Sequence, residues 1–330
     1  MNRLKSFKDH LKFVDENSFE SFSLDLFHFQ FRNNPVYKKY VRSLNIDTRS
    51  IDNTKDIPFL PISAFKYQEV KTSNWDHDLV FISSGTSGMS FSKHFIEDIE
   101  FYKDVTLSIF NKSYGDPENF IILALLPSYL ERDNSSLVFM VKHLIELTGS
   151  DHSGFYLSNL NELKSKIKAL KGLTDKKIIL WGVTFALLDF AHNYSVNMED
   201  MIIIETGGMK GRGEEIVRTE MHEQLIRNFN IDSIHSEYGM TELLSQAYAF
   251  KNGLFQCPSW MRIFTREIND PFCLCEPGQQ GVINIIDLAN IHSCAFIATE
   301  DLGKVYANKT FEVLGRLDNS DMRGCNLLVS

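Results

Sequence analysis

Apolar residues recur at helical spacing in the first fifty positions, at Phe19, Phe22, Leu26, Phe29 and Phe31, until Asn33-Asn34-Pro35 interrupts them. This predicts a helical lead-in. Ile57-Pro58-Phe59-Leu60-Pro61 reads as an extended connector, because each proline biases the residue before it away from helix. Beyond it, short apolar runs alternate with helical patterns. Strands are predicted at Leu79–Ile82, Phe120–Leu126, Lys177–Gly182, Met201–Glu205 and Ile231–His235. The clearest helix is Gly213–Phe229, where Ile216, Val217, Met221, Leu225 and Phe229 share one face. Short apolar strands separated by amphipathic helices imply parallel strands buried on both faces with helical crossovers. From about residue 253 the texture changes to short strands and turns, at Gly281–Leu288, Ala295–Thr299, Lys304–Ala307 and Phe311–Leu314. The chain is thus divided into a helical lead-in at 1–55, an α/β body at 56–252 and a smaller β-rich subdomain at 253–330.

Composition narrows the function. The 330 residues carry 34 basic and 43 acidic side chains, a net charge of −9, which argues against a duplex-binding surface and makes nucleic acid an unexpected partner. No run approaches the roughly 18 apolar residues of a membrane helix, and the start is polar, so no membrane span is expected and the cytoplasm is the default location. Five cysteines, Cys257, Cys273, Cys275, Cys294 and Cys325, contain no CxxC pair and argue against a disulfide framework. With His235, three of them supply zinc-type ligands, but the spacing matches no finger or ribbon. The 26 phenylalanines fit core packing, with an oily-substrate pocket as the secondary idea.

Five clusters carry candidate chemistry. The first, Ser83-Ser84-Gly85-Thr86-Ser87-Gly88, follows the predicted strand Leu79–Ile82. Its glycines let backbone amides approach an anion and its hydroxyls add donors, so it suits phosphate oxygens. It has neither the Walker A spacing nor the GxSxG nucleophile elbow. Glu237-Tyr238-Gly239-Met240-Thr241-Glu242 combines a ring that can stack on a base, a hydroxyl for phosphate and a carboxylate for Mg²⁺. In Glu205-Thr206-Gly207-Gly208 the glycines allow close approach of a flat ring. Thr299-Glu300-Asp301-Leu302-Gly303 offers a carboxylate for ribose hydroxyls, and Gly315-Arg316-Leu317-Asp318 a guanidinium for a nucleotide's polar groups. Singly, each is also what a turn or a capped helix start requires.

In this order the clusters resemble the adenylate-forming superfamily, over about residues 79–324. Pro58-Phe59-Leu60-Pro61, Thr206-Gly207-Gly208-Met209-Lys210, Cys257-Pro258-Ser259-Trp260, Ile286-Asp287-Leu288-Ala289-Asn290 and Arg323-Gly324-Cys325 look more closely like the acyl-protein synthetase family of the LuxE type. The resemblance implies the fold of an adenylate-forming N-terminal domain, α/β with parallel sheets flanked by helices, without the mobile C-terminal domain of larger relatives. It also implies a reaction. A carboxylic acid, here a fatty acid, attacks the α-phosphate of ATP, pyrophosphate leaves, and the acyl group passes to a protein thiol. By position, Ser83, Ser84, Gly85, Thr86, Ser87 and Gly88 would enclose the leaving phosphates. Gly207 and Gly208 would line the adenine slot, Tyr238 beside Gly239 would stack there, Thr241 would bond the α-phosphate, and Glu242 would hold Mg²⁺. Asp301 would bind the ribose with Arg316 beside it, and Cys325 would accept the acyl group. An acyl reductase or a carrier protein would be a fitting partner.

Two features depart from the superfamily pattern. Met89-Ser90-Phe91-Ser92 stand where Gly-Lys-Pro-Lys often follows the phosphate loop. The sequence also ends twelve residues after Asp318, short of the lysine that larger relatives supply, leaving Lys210, Lys93 or Arg212 as candidate cations. Two other function classes stay open: an adenylating ligase with coenzyme A or a carrier protein as acceptor, and a non-catalytic nucleotide-binding scaffold. If the main reading holds, Ser83–Gly88 and Tyr238–Glu242 face one cleft from strand C-terminal ends.

Overall fold

Asn34 joins the second and third helices and caps both. In the computed structural model, which describes residues 2–83, 90–126, 134–156, 159–194, 196–207 and 218–317, α1 (Asn2–Leu11) precedes α2 (Phe19–Asn33) and α3 (Pro35–Ser43). Asn34 donates its N–H to the Gln30 carbonyl, closing α2, and its side chain accepts from the Tyr37 N–H, opening α3 with Pro35 in the first turn. The predicted lead-in is therefore helical. The connector ends in β1 (Leu60–Pro61), followed by the single turn α4 (Ala64–Tyr67).

Next, β2 (Leu79–Ile82) pairs antiparallel with β3 (Lys93–Ile96) in a sheet of their own. This corrects the expectation that Leu79–Ile82 belongs to the parallel series. Only Phe81 of β2 is buried, so the strand lacks the two covered faces that a parallel position demands. Alternation proper begins at α5 (Ile99–Ser113), β4 (Phe120–Leu125) and α6 (Ser136–Leu147). It continues through β5 (Gly154–Phe155), α7 (Leu160–Leu170), β6 (Lys177–Val183) and α8 (Thr184–Asn193), then β7 (Ile202–Thr206), α9 (Arg218–Phe229) and β8 (His235–Tyr238). Residues 213–217 of the predicted last helix lie outside the described residues. The strand expected at Ile231–His235 starts where it was expected to end, because Ile231 and Ile234 are buried in the approach to it.

The rest is antiparallel: β9 (Ala247–Ala249), β10 (Phe255–Gln256), β11 (Met261–Arg266), β12 (Gln280–Asp287), β13 (Phe296–Val305) and β14 (Phe311–Arg316). The two strands expected at Ala295–Thr299 and Lys304–Ala307 are the single strand β13. Glu300–Gly303, read as a turn, stays in the ladder because a register shift between Leu302 and Gly303 absorbs the irregularity.

The chain forms two compact units, one from Met1–Trp75 with Ser259–Ser330 and one from Asp76–Pro258. In the second, strand order is β10-β9-β8-β7-β6-β4-β5, parallel from β8 to β5. Alternate residues Ile121, Leu123 and Leu125 of β4 join a core with Leu163 and Ile167 of α7, Phe190 of α8 and Leu225 and Phe229 of α9. Ile122 and Ala124 are buried too, so β4 is covered on both faces.

In the first unit β11–β14 form an antiparallel ladder, with β1 alongside β13 in parallel. A buried amide organises its centre. The Gln30 Nε2 donates to the Asn290 carbonyl at 2.8 Å and its Oε1 accepts from the Ala295 N–H at 2.9 Å, so α2 satisfies a loop that would otherwise bury unpaired backbone groups. Among the described residues no helix is long and apolar enough to cross a membrane.

Candidate active site

The ends of β7 and β8 set the site's frame. Their register places Glu205 opposite Ser236 and Thr206 opposite Glu237, so the first pair faces one side of the sheet and the second pair the other.

On the Glu205 side, the carboxylate is 2% exposed. It accepts from the Thr184 hydroxyl at 3.1 Å and lies 3.6 Å from His222 Nε2 and 3.7 Å from Arg218 Nε, both on α9. Burial pushes its pKa up, but the neighbouring His222 and Ser236 side chains and the charge of Arg218 outweigh burial and hold it below the usual carboxylate value. Tyr238 points to this side. Its ring is largely buried, 5.8 Å from Phe255 between centroids, and the Arg218 guanidinium lies 5.1 Å from the centroid of that same Phe255.

On the other side, the Thr206 hydroxyl donates to the buried Glu237 carboxylate. Tyr102, Tyr114 and Tyr248 surround it, their hydroxyls held protonated by burial and then by the Glu237 charge. The Tyr114 hydroxyl is 3.2 Å from His235 Nδ1.

Two glycines are required here. Gly207 follows β7 at φ +72°, a conformation other residues reach only with strain. Gly239 has no such φ but stands where a Cβ would lie 2.5 Å from the Glu237 Oε1. The chain then turns through Met240, whose carbonyl accepts from the Leu243 N–H at 3.1 Å, leaving Thr241 half-buried and Glu242 buried.

One further contact joins this turn to the β2–β3 hairpin. His94 of β3 lies opposite Phe81 and its Nδ1 is 2.8 Å from the Thr241 carbonyl. Ser83, two residues past Phe81, donates its N–H to the Ser92 carbonyl at 3.0 Å, while the Ser92 N–H donates to the Ser83 Oγ at 2.9 Å. One unit therefore contains Ser83, Gly207, Tyr238, Gly239, Thr241 and Glu242. Tyr238 is the last residue of β8 rather than a residue past it, and Ser83 follows a hairpin strand rather than a parallel one. Asp301 and Arg316 lie in the other unit, directly opposite each other on β13 and β14, with Arg316 Nε 3.3 Å from Asp301 Oδ1. Ser84, Gly85, Thr86, Ser87, Gly88, Gly208 and Cys325 lie outside the described residues, as do the candidate cations Lys210 and Arg212. Lys93, the remaining one, is exposed on β3.

Residue type alone gives His94, Glu205, Arg218, His222 and Glu237 no role in the site. Glu205 and Glu237 open two of the motifs, but only the β7–β8 register shows which faces they take, the packing of α9 brings in Arg218 and His222, and the bond to Thr241 brings in His94. Among the described residues no three His, Cys, Asp or Glu side chains converge as a metal-holding group.

Residues 11–330 match the model of the family described as acyl-protein synthetase, LuxE. The chain belongs to that family. No match appears among curated protein sequences. Among solved structures, the fold is similar to 2-hydroxyisobutyryl-CoA ligase in complex with 2-HIB-AMP and CoA, with a TM-score of 0.68, 10% identity, and coverage of 94% of this chain and 71% of that one. ATP-bound MatB from Rhodopseudomonas palustris gives a TM-score of 0.54 at 14% identity, covering 74% of this chain and 49% of that one. The luciferase-like enzyme of the mealworm Zophobas morio gives 0.52 at 14%, covering 83% and 62%. The LuxE-family chain thus spans about half the length of the MatB structure, and at these identities the likeness is one of fold: the adenylate-forming body, a large sheet flanked by helices.

Proposed function

We propose that this protein is an ATP-dependent ligase that activates a carboxylic acid, a fatty acid by class, as an acyl-adenylate and transfers the acyl group to a protein cysteine. The observation that supports the reading is the contact of the β2–β3 hairpin, which ends at Ser83, with the Thr241–Glu242 turn through His94, so that the described residues of two candidate motifs are tied together within one unit. Family membership over residues 11–330 supports the same class.

In the first step a carboxylate oxygen of the acid bonds to the α-phosphorus and the bond to the bridging oxygen breaks, releasing pyrophosphate. In the second a thiolate sulfur bonds to the acyl carbon and AMP leaves with the electron pair. The Thr241 hydroxyl would donate to the α-phosphate, and Tyr238 with Gly207 would flank the adenine. Mg²⁺ is usually held by one or two carboxylates together with substrate phosphates, and the buried Glu242 carboxylate fits that donor set. When bound, the ion neutralises phosphate charge. Cys325 is the proposed acceptor, with an acyl reductase or a carrier protein as a proposed partner. Cys294 is unsuited to the role: it is fully buried and its thiol is pushed up to about 12 by burial.

The test is pyrophosphate exchange with Mg²⁺-ATP and a panel of radioactive acids, followed by intact-mass analysis. Wild type should exchange and take up a hydroxylamine-sensitive label. Glu242→Ala should lose exchange by about 10²-fold or more, the usual loss for one such electrostatic contact. Cys325→Ser should exchange but stay unlabelled. Absence of exchange with every acid overturns the reading, whereas release of free acyl-CoA when coenzyme A is added, with no label on the protein, moves the acceptor from protein to coenzyme.

A further inference from the structure

His94 lies outside every motif, yet it bridges two of them. Its ring is 1% exposed, its Nδ1 is 2.8 Å from the Thr241 carbonyl, and 147 residues separate the two. A carbonyl oxygen only accepts, so Nδ1 carries the hydrogen and the tautomer is fixed. Burial pushes the imidazole down to about 4, against the raising effect of the Thr241 carbonyl, so the ring is a neutral donor at ordinary pH rather than a cation or a base.

The hairpin gives the bond its leverage. Phe81 faces His94 across the ladder and is itself packed among Tyr102 and Phe139, with centroids at 5.0 Å and 5.7 Å. Beyond Phe81 the chain reaches Ser83 within about 7 Å of extended backbone. There the paired Ser83 and Ser92 bonds close the hairpin end. A shift of the Thr241 turn relative to Ser83 must therefore break the His94 bond or distort a packed aromatic cluster.

We propose that His94 is a positioning residue of the nucleotide site, holding Thr241 and Glu242 in fixed register with Ser83 so that the metal-binding end of ATP is gripped by preset groups. The inference rests on the ATP-dependent reading above and adds to it a residue that touches neither nucleotide nor acid. Its prediction is selective. Loss of the bond should affect the kinetics of Mg²⁺-ATP and leave the KM for the acid alone, because only the nucleotide bridges the two tied segments.

The experiment compares His94→Asn, His94→Gln and His94→Ala in the full chain. The Asn amide N–H₂ stands near the position of Nδ1 and can still donate to Thr241, whereas the longer Gln carries its amide past that position toward Nε2. His94→Ala and His94→Gln should lower kcat/KM for Mg²⁺-ATP in pyrophosphate exchange by about 10- to 100-fold, the range for orphaning a buried acceptor. The acid KM should move by less than about twofold, and His94→Asn should return to within about threefold of wild type, since the donor is restored. Should Ala fail to fold, the Asn and Gln pair decides alone. Equal effects of Asn and Gln, or equal effects on acid and nucleotide, reduce His94 to a stability residue and overturn the proposal. If wild type shows no exchange with any acid, calorimetric binding of Mg²⁺-ATP replaces the rate. Binding that Gln weakens and Asn preserves keeps the His94 role while the ligase reading falls, and no binding by wild type overturns both.

Discussion

Gly239→Ala tests the geometry of the candidate site by a single methyl group. The added Cβ would lie 2.5 Å from Glu237 Oε1 and 3.4 Å from Gln246 Cγ. The first separation is about 1 Å short of an ordinary packing contact. Gly239 is not in the left-handed region, so alanine meets no backbone penalty and the cost is steric. A flexible carboxylate on the surface would swing aside. Glu237 is 7% exposed, and its other oxygen accepts from the Thr206 hydroxyl. Relief therefore requires giving up a charge-assisted bond worth about 1.5–3 kcal/mol, or moving the Gly239 backbone together with Tyr238 and Thr241. Overpacking of this kind costs about 1–3 kcal/mol. Urea unfolding should register that loss, and the displaced turn should lower kcat/KM for Mg²⁺-ATP by about 10-fold or more, as sub-ångström misplacement of site groups does. The control is a double-mutant cycle: with Glu237→Ala the obstructing oxygen is gone, and Gly239→Ala should then cost less than about 0.5 kcal/mol. An equal cost in both backgrounds refutes the clash as the cause.

Two further outcomes are expected. Glu205 has a pKa lowered in the folded state by His222, Arg218 and Ser236 against the effect of burial, so its contribution is present above the unfolded carboxyl value and is lost as pH falls through the folded one. Glu205→Gln should therefore destabilise by about 2–4 kcal/mol at pH 7, less than a fully buried pair because Arg218 is partly exposed, and this difference from wild type should shrink in urea titrations below about pH 4.5; a pH-independent gap contradicts it. Iodoacetamide at pH 8 should modify exposed Cys273 in the native protein and reach Cys294 only after unfolding, since a thiol at about 12 is roughly one part in 10⁴ thiolate there; native labelling of Cys294 at the Cys273 rate counts against its burial.

The sequence was most legible where one physical requirement dominates. The periodic apolar positions of α2 could bury only as a helix, and the continuous apolar letters of β4, β6 and β7 mark strands covered on both faces. β8 escaped because its letters, His235-Ser236-Glu237-Tyr238, are polar, while the apolar Ile231 and Ile234 before it serve the core from a loop. β13 was split because Glu300-Asp301-Leu302-Gly303 has turn chemistry, which its two neighbouring strands override. For the candidate site, residue types revealed Tyr238, Thr241 and Glu242 but not their supports. Nothing near His94 in the chain points to Thr241, and nothing near Glu205 points to Ser236 except the β7–β8 register.

Those supports bear on how the candidate site is kept in shape. Two carboxylates, Glu205 and Glu237, are buried one on each face of the same pair of strand ends, although burying charge is costly and an apolar layer there would cost less. Each is joined to its own set of donors: Glu205 to Thr184, with His222, Arg218 and Ser236 around it, and Glu237 to Thr206. An oily contact tolerates sliding by an ångström, whereas a buried carboxylate that slides loses its donors and pays the full desolvation cost. Such pairs therefore restrict the Gly207 and Tyr238–Glu242 turns to one arrangement, and His94 extends the same restriction to the hairpin. A ligand entering turns held in this way spends little of its binding free energy on ordering them, which leaves more for interactions specific to the transition state. It follows that substitutions at Glu205, Glu237 and His94 should alter catalysis as strongly as many substitutions at Tyr238, Thr241 or Glu242, although none of the three needs to touch a substrate.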